Sequence, residues 1–319
     1  MDIAAPASVA PLDPAKFRNP LFTAAGENRA SVSLTELRTL WINTGTLCNL
    51  TCANCYIESS PTNDRLSYIT SSEVEAYLDE IVADGLGTEK IGLTGGEPFM
   101  NPDIIPMLDA ILTRGLRALV LTNGMKPLWK VRDQLLALKE AHADKLVIRV
   151  SIDHYAQAPH EKERGPRSWE TAIEGLTWLN ENGFALNIAG RTFGNETEDE
   201  LRAGYAGLFD RLGLTIDPQN PVDLVLFPEM DELADVPEIT TDCWGILNVS
   251  PNAMMCATSR MVIKRRGATK PVVVPCTLLP YDDRFEMGET LAKAAADVPL
   301  NHPHCSKFCV LGGGVCSAG

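Results

Sequence analysis

The sequence predicts an α/β protein organised around a parallel sheet, with its chemistry gathered at the carboxyl ends of the strands. Three observations predict this. Between about Leu37 and Phe227, six short apolar runs alternate with stretches of helical spacing. Cap-forming and glycine residues punctuate those stretches. Polar residues capable of chemistry follow directly behind five of the apolar runs.

The predicted strands are residues 37–44 (LRTLWINT), 89–94 (EKIGLT), 116–122 (LRALVLT), 145–151 (KLVIRVS), 184–191 (FALNIAGR) and 222–227 (VDLVLF). Between the first two lies SSEVEAYLDEIVADG, where Ser72 and Glu75 have the spacing of a capping box. SWETAIEGLTWLNENG precedes the fifth, and both stretches finish on glycine. Strands alternating with helices form βαβ units whose sheet is buried on both faces. Six units are too few for a closed eight-fold barrel, so a partial barrel and an open doubly wound sheet both fit. Either places ligands beyond the strand carboxyl ends. Cysteines follow the first run, Gly95-Gly96-Glu97-Pro98 the second, and Thr122-Asn123-Gly124 the third. Ser151 and Asp153 follow the fourth, and Arg191 closes the fifth.

After about Met230 the character changes. ILNVSPNAMMC suggests a hairpin around Pro251-Asn252, RMVIKRRGATKPVVVPC a second one turning near Arg266-Gly267, and GETLAKAAADV a short helix. Six of the nine cysteines lie here: Cys243, Cys256, Cys276, Cys305, Cys309 and Cys316. The expected organisation is a flexible Ala/Pro-rich arm over 1–36, the sheet domain over 37–230 and a small α+β domain over 231–319.

A net charge of −14 argues against nucleic acid or an anionic membrane as partner. No apolar run approaches the roughly 20 residues that span a bilayer, and the N-terminus lacks the features of a signal peptide. A cytoplasmic location is expected, where thiols stay reduced and clustered cysteines point to metal.

The stretch TLCNLTCANCYIES (46–59) holds Cys48, Cys52 and Cys55 in a C-x3-C-x2-C spacing followed by Tyr56. Three thiolates on one loop can hold three irons of a [4Fe–4S] cube and leave the fourth open to a ligand. Structural zinc needs four ligands and favours paired C-x2-C knuckles, and no histidine precedes His142 to complete a tetrahedron. Spacing alone leaves iron–sulfur and zinc both open.

The triad with Tyr56 behind the first strand, followed by Gly95, Gly96, Glu97 and Pro98 behind the second, resembles the radical S-adenosylmethionine (SAM) enzymes. The resemblance covers about residues 36–230 and implies a partial (β/α)6 TIM-type barrel. It implies that Cys48, Cys52 and Cys55 ligate a [4Fe–4S] cluster whose open iron binds SAM. Gly95, Gly96 and Glu97 would then face the methionine amino group, with Tyr56, Asn123, Ser151 and Arg191 as further cofactor contacts. The segment SIDHYAQAPHEKERG and the tail motif CSKFCVLGGGVC resemble the subset with a twitch or SPASM-type auxiliary domain. That implies one auxiliary [4Fe–4S] cluster, with Cys256 and Cys276 as a hairpin pair, Cys305 and Cys309 as a later pair, and Cys316 as a substitute ligand. The tail departs from the full SPASM pattern: it has C-x3-C in place of C-x2-C, and too few cysteines for two auxiliary clusters. Cys243 is expected to be buried and inert, and His302 and His304 to be turn or surface residues.

The implied reaction is reductive cleavage of SAM to a 5′-deoxyadenosyl radical that abstracts hydrogen from a small metabolite or peptide side chain. Oxidation or rearrangement follows, with an electron donor such as flavodoxin or ferredoxin as partner. The arm before Leu37 is too short for the leader-binding domain of many peptide-modifying relatives. That favours a small substrate, or a peptide delivered by another protein. An adenosyl- or methyl-transferase and a non-enzymatic iron–sulfur redox protein are the alternatives. Asp153, His154 and Tyr155 are candidates for facing the substrate.

Overall fold

The computed structural model describes residues 10–192, 194, 196–229 and 233–313. A short strand β1 (Ser31–Val32) precedes six parallel strands that pair in chain order: β2 (Thr39–Asn43), β3 (Lys90–Thr94), β4 (Arg117–Thr122), β5 (Leu146–Ser151), β6 (Ala185–Thr192) and β7 (Leu224–Pro228). The connecting helices are α1 (Ser71–Asp84), α2 (Ile104–Thr113), α3 (Lys126–His142), α4 (Gln157–Arg164) with α5 (Ser168–Glu181), and α6 (Glu198–Leu212). This is the partial barrel. Each apolar run becomes a strand because helices cover the outer face while side chains fill the inner one. All five residues of β2 are buried.

Helix α1 begins two residues earlier than the Ser72–Glu75 spacing suggests. Thr70 is the cap, its hydroxyl accepting from the Glu73 N–H while Glu73 reaches back to the Thr70 N–H. Gly85, in the left-handed region, ends the helix as expected. In α5 the cap is Asn182, and Gly183 follows with φ of 67°.

The tail does not stand apart from the barrel sheet. Strand β8 (Ser259–Ile263) pairs parallel with β2, in register from Thr39↔Ser259 to Ile42↔Val262. β9 (Val272–Val274) returns antiparallel to β8, so the expected hairpin near Gly267 forms and extends the sheet to eight strands among the described residues. The hairpin expected around Pro251-Asn252 does not form. A one-turn helix α7 (Cys243–Leu247) and 3₁₀ turns at Pro251–Ala253 and Met255–Ala257 occupy that stretch. β8 already has β2 on one side and β9 on the other, which leaves no edge for residues 246–250.

The expected helix in GETLAKAAADV shrinks to a 3₁₀ turn, Lys293–Ala295. The buried Arg260 donates to the Ala294 and Ala296 carbonyls at 2.7 and 3.2 Å, taking acceptors that a helix there would draw on. Residues 10–36, expected to be a flexible arm, are an ordered strap in their described part. β1 pairs antiparallel with β10 (Val298–Pro299). Lys16 pairs with Asp235 at 2.7 Å, and the Arg29 guanidinium meets the Glu238 carboxylate with both side chains buried. The strap holds because its apolar and charged residues find complements on the tail.

Two cores result. One lies between the sheet and its helices. The other joins the barrel lumen, through Trp41, Leu119 and Met261, to tail residues such as Met255, Phe285 and Phe308.

Candidate active site

The loop after β2 carries the three cysteines and is held from several sides. Thr44 N–H donates to Thr94 O at 2.8 Å, Cys48 N–H to Ser60 O at 3.0 Å, and Ala53 N–H to Glu163 O at 2.7 Å. Asn101 Nδ2 donates to Thr44 O at 2.9 Å, and Arg191 Nη1 to Asn54 O at 2.7 Å. Backbone N–H groups point at two of the sulfurs: Leu50 at Cys48 Sγ (3.4 Å) and Ser59 at Cys55 Sγ (3.3 Å).

The glycines after β3 let backbone meet backbone. A Cβ on Gly96 would lie 2.2 Å from Leu47 O, and one on Gly95, whose φ is 134°, 2.4 Å from Gly45 O. Gly96 N–H donates to Gly45 O at 2.8 Å and Glu97 N–H to Leu47 O at 3.1 Å, locking this turn to the cysteine loop.

Cys48, Cys52, Cys55 and Tyr56 line one cleft together with Gly95, Gly96, Asn123, Ser151 and Arg191. Nearly every sequence-predicted cofactor contact is therefore on the same surface. Glu97 is not on it. Its buried carboxylate accepts from Thr122 Oγ1 (2.8 Å), Asn123 N–H (2.8 Å) and Phe99 N–H (3.1 Å), beneath the glycines. Burial pushes its pKa up to about 7 despite those three donors. Asn123 reaches back towards the loop, its Nδ2 donating to Asn49 Oδ1 at 2.9 Å.

The sequence motif S-x-D…R-G holds a pairing that sequence reading left without a role. Arg164 Nε and Nη2 clamp both Asp153 oxygens at 2.8 and 2.9 Å, and both residues line the cleft. Burial works against the Asp153 carboxylate, but the guanidinium holds its pKa below the usual range. His154 and Tyr155 do not line the cleft. Both hold Glu196, through His154 Nε2 at 2.7 Å and the Tyr155 hydroxyl at 2.5 Å. The tail supplies Thr277, Leu278 and Phe308 to the cleft wall, which no local sequence signal announced.

The donor set fits an iron–sulfur cluster. Burial pushes the Cys48 thiol up to about 12, and burial also raises Cys52, with Arg164 opposing. Burial therefore favours the neutral thiols here, and a bound metal would take the place of their protons.

In the tail, Cys256, Cys276 and Cys305 are buried in one apolar cluster, and Cys309 packs against it. Cys305 and Cys309 share a turn of π-helix, Cys305–Val310, which brings both to the same neighbourhood. Burial pushes the Cys256 thiol up to about 11 and that of Cys305 to about 12. Cys243 is half-buried, with the Thr240 N–H 3.4 Å from its sulfur. Cys316 lies outside the described residues. His302 is a half-buried bend residue and His304 is buried, so neither is fully at the surface. Their rings lie 4.7 Å apart, and burial lowers their pKa values to about 3 and about 4. The turn carrying Cys305 folds inward and takes them with it.

The chain is 29% identical over 147 residues to the antilisterial bacteriocin subtilosin biosynthesis protein AlbA of Bacillus subtilis, covering 46% of this chain and 31% of AlbA. It is 29% identical over 156 residues to the GTP 3′,8-cyclase of Synechococcus elongatus, covering 48% of this chain and 44% of the cyclase. It thus spans about a third to a half of the length of these relatives. The fold is shared with Streptococcus suis SuiB bound to S-adenosylmethionine, at a TM-score of 0.58 and 13% identity over 80% of this chain and 63% of SuiB. It is also shared with anSMEcpe with bound AdoMet, at 0.56 and 15% over 80% of this chain and 79% of that one. No helix is long and apolar enough to cross a membrane among the described residues. Residues 42–203, half of the chain, match the Radical SAM superfamily model, and the chain belongs to that superfamily.

Proposed function

We propose that this chain is a radical SAM enzyme whose Cys48, Cys52 and Cys55 hold the SAM-binding [4Fe–4S] cluster, and that it abstracts hydrogen from a peptide side chain or a small metabolite. One observation carries the reading: the three thiols, Gly95-Gly96, Asn123, Ser151 and Arg191 line a single cleft at the carboxyl ends of parallel strands. When bound, the cluster and SAM together supply one-electron cleavage of a carbon–sulfur bond and a carbon-centred oxidant.

The chain's own residues bind, orient and enclose. The backbone lock between Gly96 and Gly45 sets the height of the cysteine loop over the strand ends. Asn123, Ser151 and Arg191 offer polar groups to the ribose and carboxylate of the cosubstrate, while Tyr56, half-exposed, stands at the rim. Arg164, clamped on Asp153 beside Cys52, places positive charge next to a thiolate-rich site. Glu97 acts from beneath, fixing the Asn123 backbone. Trp41, Leu121, Phe227 and Phe308 form apolar walls that exclude water from a reactive species.

The tail cysteines support an auxiliary cluster, with Cys256, Cys276, Cys305 and Cys309 as ligands and Cys316 in reserve. A flavodoxin- or ferredoxin-type donor supplies the electron. A peptide is the substrate class favoured by the likeness to a bacteriocin biosynthesis protein.

Replacing Cys48, Cys52 and Cys55 together by alanine tests the assignment. Anaerobically reconstituted wild type is expected to hold about eight irons per chain, and the variant about four, retained in the tail. The variant is expected to lose SAM cleavage under reduction. Cleavage at the wild-type rate without the three thiols ends the proposal.

A further inference from the structure

The barrel has a second cavity, at the amino ends of its strands. It measures about 590 Å³, and its wall includes the first residues of four strands, Thr39, Lys90, Arg117 and Ala185. Among the described residues it shares no lining residue with the cysteine cleft. Apolar core lies between the two. Trp41 borders the cleft, Leu119 borders the second cavity, and both are buried in one cluster.

The alternation of strand side chains explains what reaches this cavity. Thr94, Leu121 and Ser151 line the cleft, and Lys90, Arg117 and Arg149 stand at even spacing from them on the same three strands. They therefore share the inner face. The sheet register sets Lys90 directly beside Arg117. Arg149 is 1% exposed and acts through its charge, whereas Lys90 is half-buried and Arg117 exposed, so a ligand reaches both.

Two carboxylates, Glu89 and Asp223, also border the cavity, with Arg38 as a fourth cation. Asp223 accepts from the Asp217 N–H at 3.3 Å, and Arg38 is held by Glu36 at 2.5 Å. Around Lys90 positive charge prevails. Burial, Arg149 and Arg117 push its pKa down to about 8 against the weaker pull of Glu89. Like charges crowded on one wall repel, and an anion between them turns that repulsion into attraction. In a chain of net charge −14 the cavity is a local inversion of sign.

We propose that this cavity binds the phosphoryl group of a small phosphorylated molecule, held by Lys90 and Arg117 and attracted by the charge of Arg149. Three cations suit a dianion better than a single carboxylate. The guanidinium offers a paired fork to phosphate oxygens and the ammonium a point charge. The volume falls within the roughly 300–1,000 Å³ of small-molecule sites, more than a bare phosphate fills. Asn187, Thr258, Phe184 and Ile216 line the remaining space and suit an organic body attached to the phosphate. The site stands independently of the cysteine cleft and its chemistry.

Titration calorimetry of the full-length holoprotein with inorganic phosphate, glycerol 3-phosphate and glycerol, at constant ionic strength, tests the site. Both phosphates are expected to bind, the ester more tightly, and glycerol is not. Arg117→Gln, at an exposed position, is expected to weaken the ester about ten-fold, the loss of one hydrogen bond to a charged group. Lys90→Gln is expected to act in the same direction. Arg132→Gln removes an exposed arginine of α3 outside the cavity, and is expected to change the affinity by no more than about two-fold. Saturating SAM is expected to leave it unchanged. Ester binding that survives intact in Arg117→Gln overturns the proposal, as does an equal loss in Arg132→Gln, which marks unspecific attraction. Phosphate displaced by SAM lies in the cysteine cleft and also overturns it. Inorganic phosphate that binds more tightly than the ester refutes the organic ligand, and absence of binding by either refutes the site.

Discussion

Glu97 shows how a single buried residue can be positioned by sequence and oriented only by the fold. Gly-Gly-Glu-Pro marks a strand end in the sequence, but the direction of the carboxylate depends on which donors the next strand brings. Here β4 and the residue after it bring Thr122 and Asn123, both on the cleft wall, and the carboxylate accepts from them without itself lining the cleft. Burial raises its pKa from 4.5 to about 7. Between those values the native state holds a proton that the unfolded chain releases, so stability falls as pH rises through the window. The contribution is complete below about pH 4.5, is lost towards pH 7 and is on the order of 3 kcal/mol. Urea unfolding of wild type and Glu97→Gln at several pH values between 4.5 and 7 checks this. The variant is expected to lack that share of the slope, and parallel profiles would refute it.

At the scale of elements, the cysteine loop and the turn after β3 are one unit. Gly96 makes it possible, because any Cβ there collides with Leu47 O. Carbonyl and turn are both backbone, so neither yields as the end of a flexible side chain would. Gly96→Ala is expected to lower stability by about 1–3 kcal/mol, the range for overpacking, and to displace the loop that carries Cys48. Iron per chain in the reconstituted variant should therefore fall towards the tail's share alone. Full iron loading would show that the loop tolerates the shift. The six strands of the barrel were legible from apolar runs bounded by punctuation. The turns at 251–257 and 293–295 were not. Their outcome depended on sheet edges already occupied and on carbonyls already claimed by Arg260.

At the scale of the molecule, the strap of residues 10–36 ties the N-terminal part of the chain to the tail. Glu238 accepts from the Phe17 and Ala24 N–H groups at 2.6 Å each and pairs with the buried Arg29. Removing that carboxylate strands a buried guanidinium and two donors. Glu238→Ala is expected to cost about 3–5 kcal/mol, the range for breaking a buried ion pair. The expected readouts are a lower thermal midpoint and proteolytic cleavage within 10–36. An unchanged midpoint would show the strap to be an ornament on an independently stable body.

The sequence alone determined the alternation of strands and helices, the positions that close each strand, and the C-x3-C-x2-C triad with its following Gly-Gly-Glu-Pro. These depend on periodicity and on residues close together in the chain, where local sterics and hydrogen bonding act without the rest of the molecule. The tertiary structure decided that β8 would join β2, that Arg164 would clamp Asp153 beside the cysteines, that Glu97 would lie beneath the cleft, and that Thr277 and Phe308 would complete its wall. Such pairings join surfaces that exist only once the chain has collapsed. Which apolar face meets which is set by shape and burial summed over the whole core, and no window of sequence contains that sum.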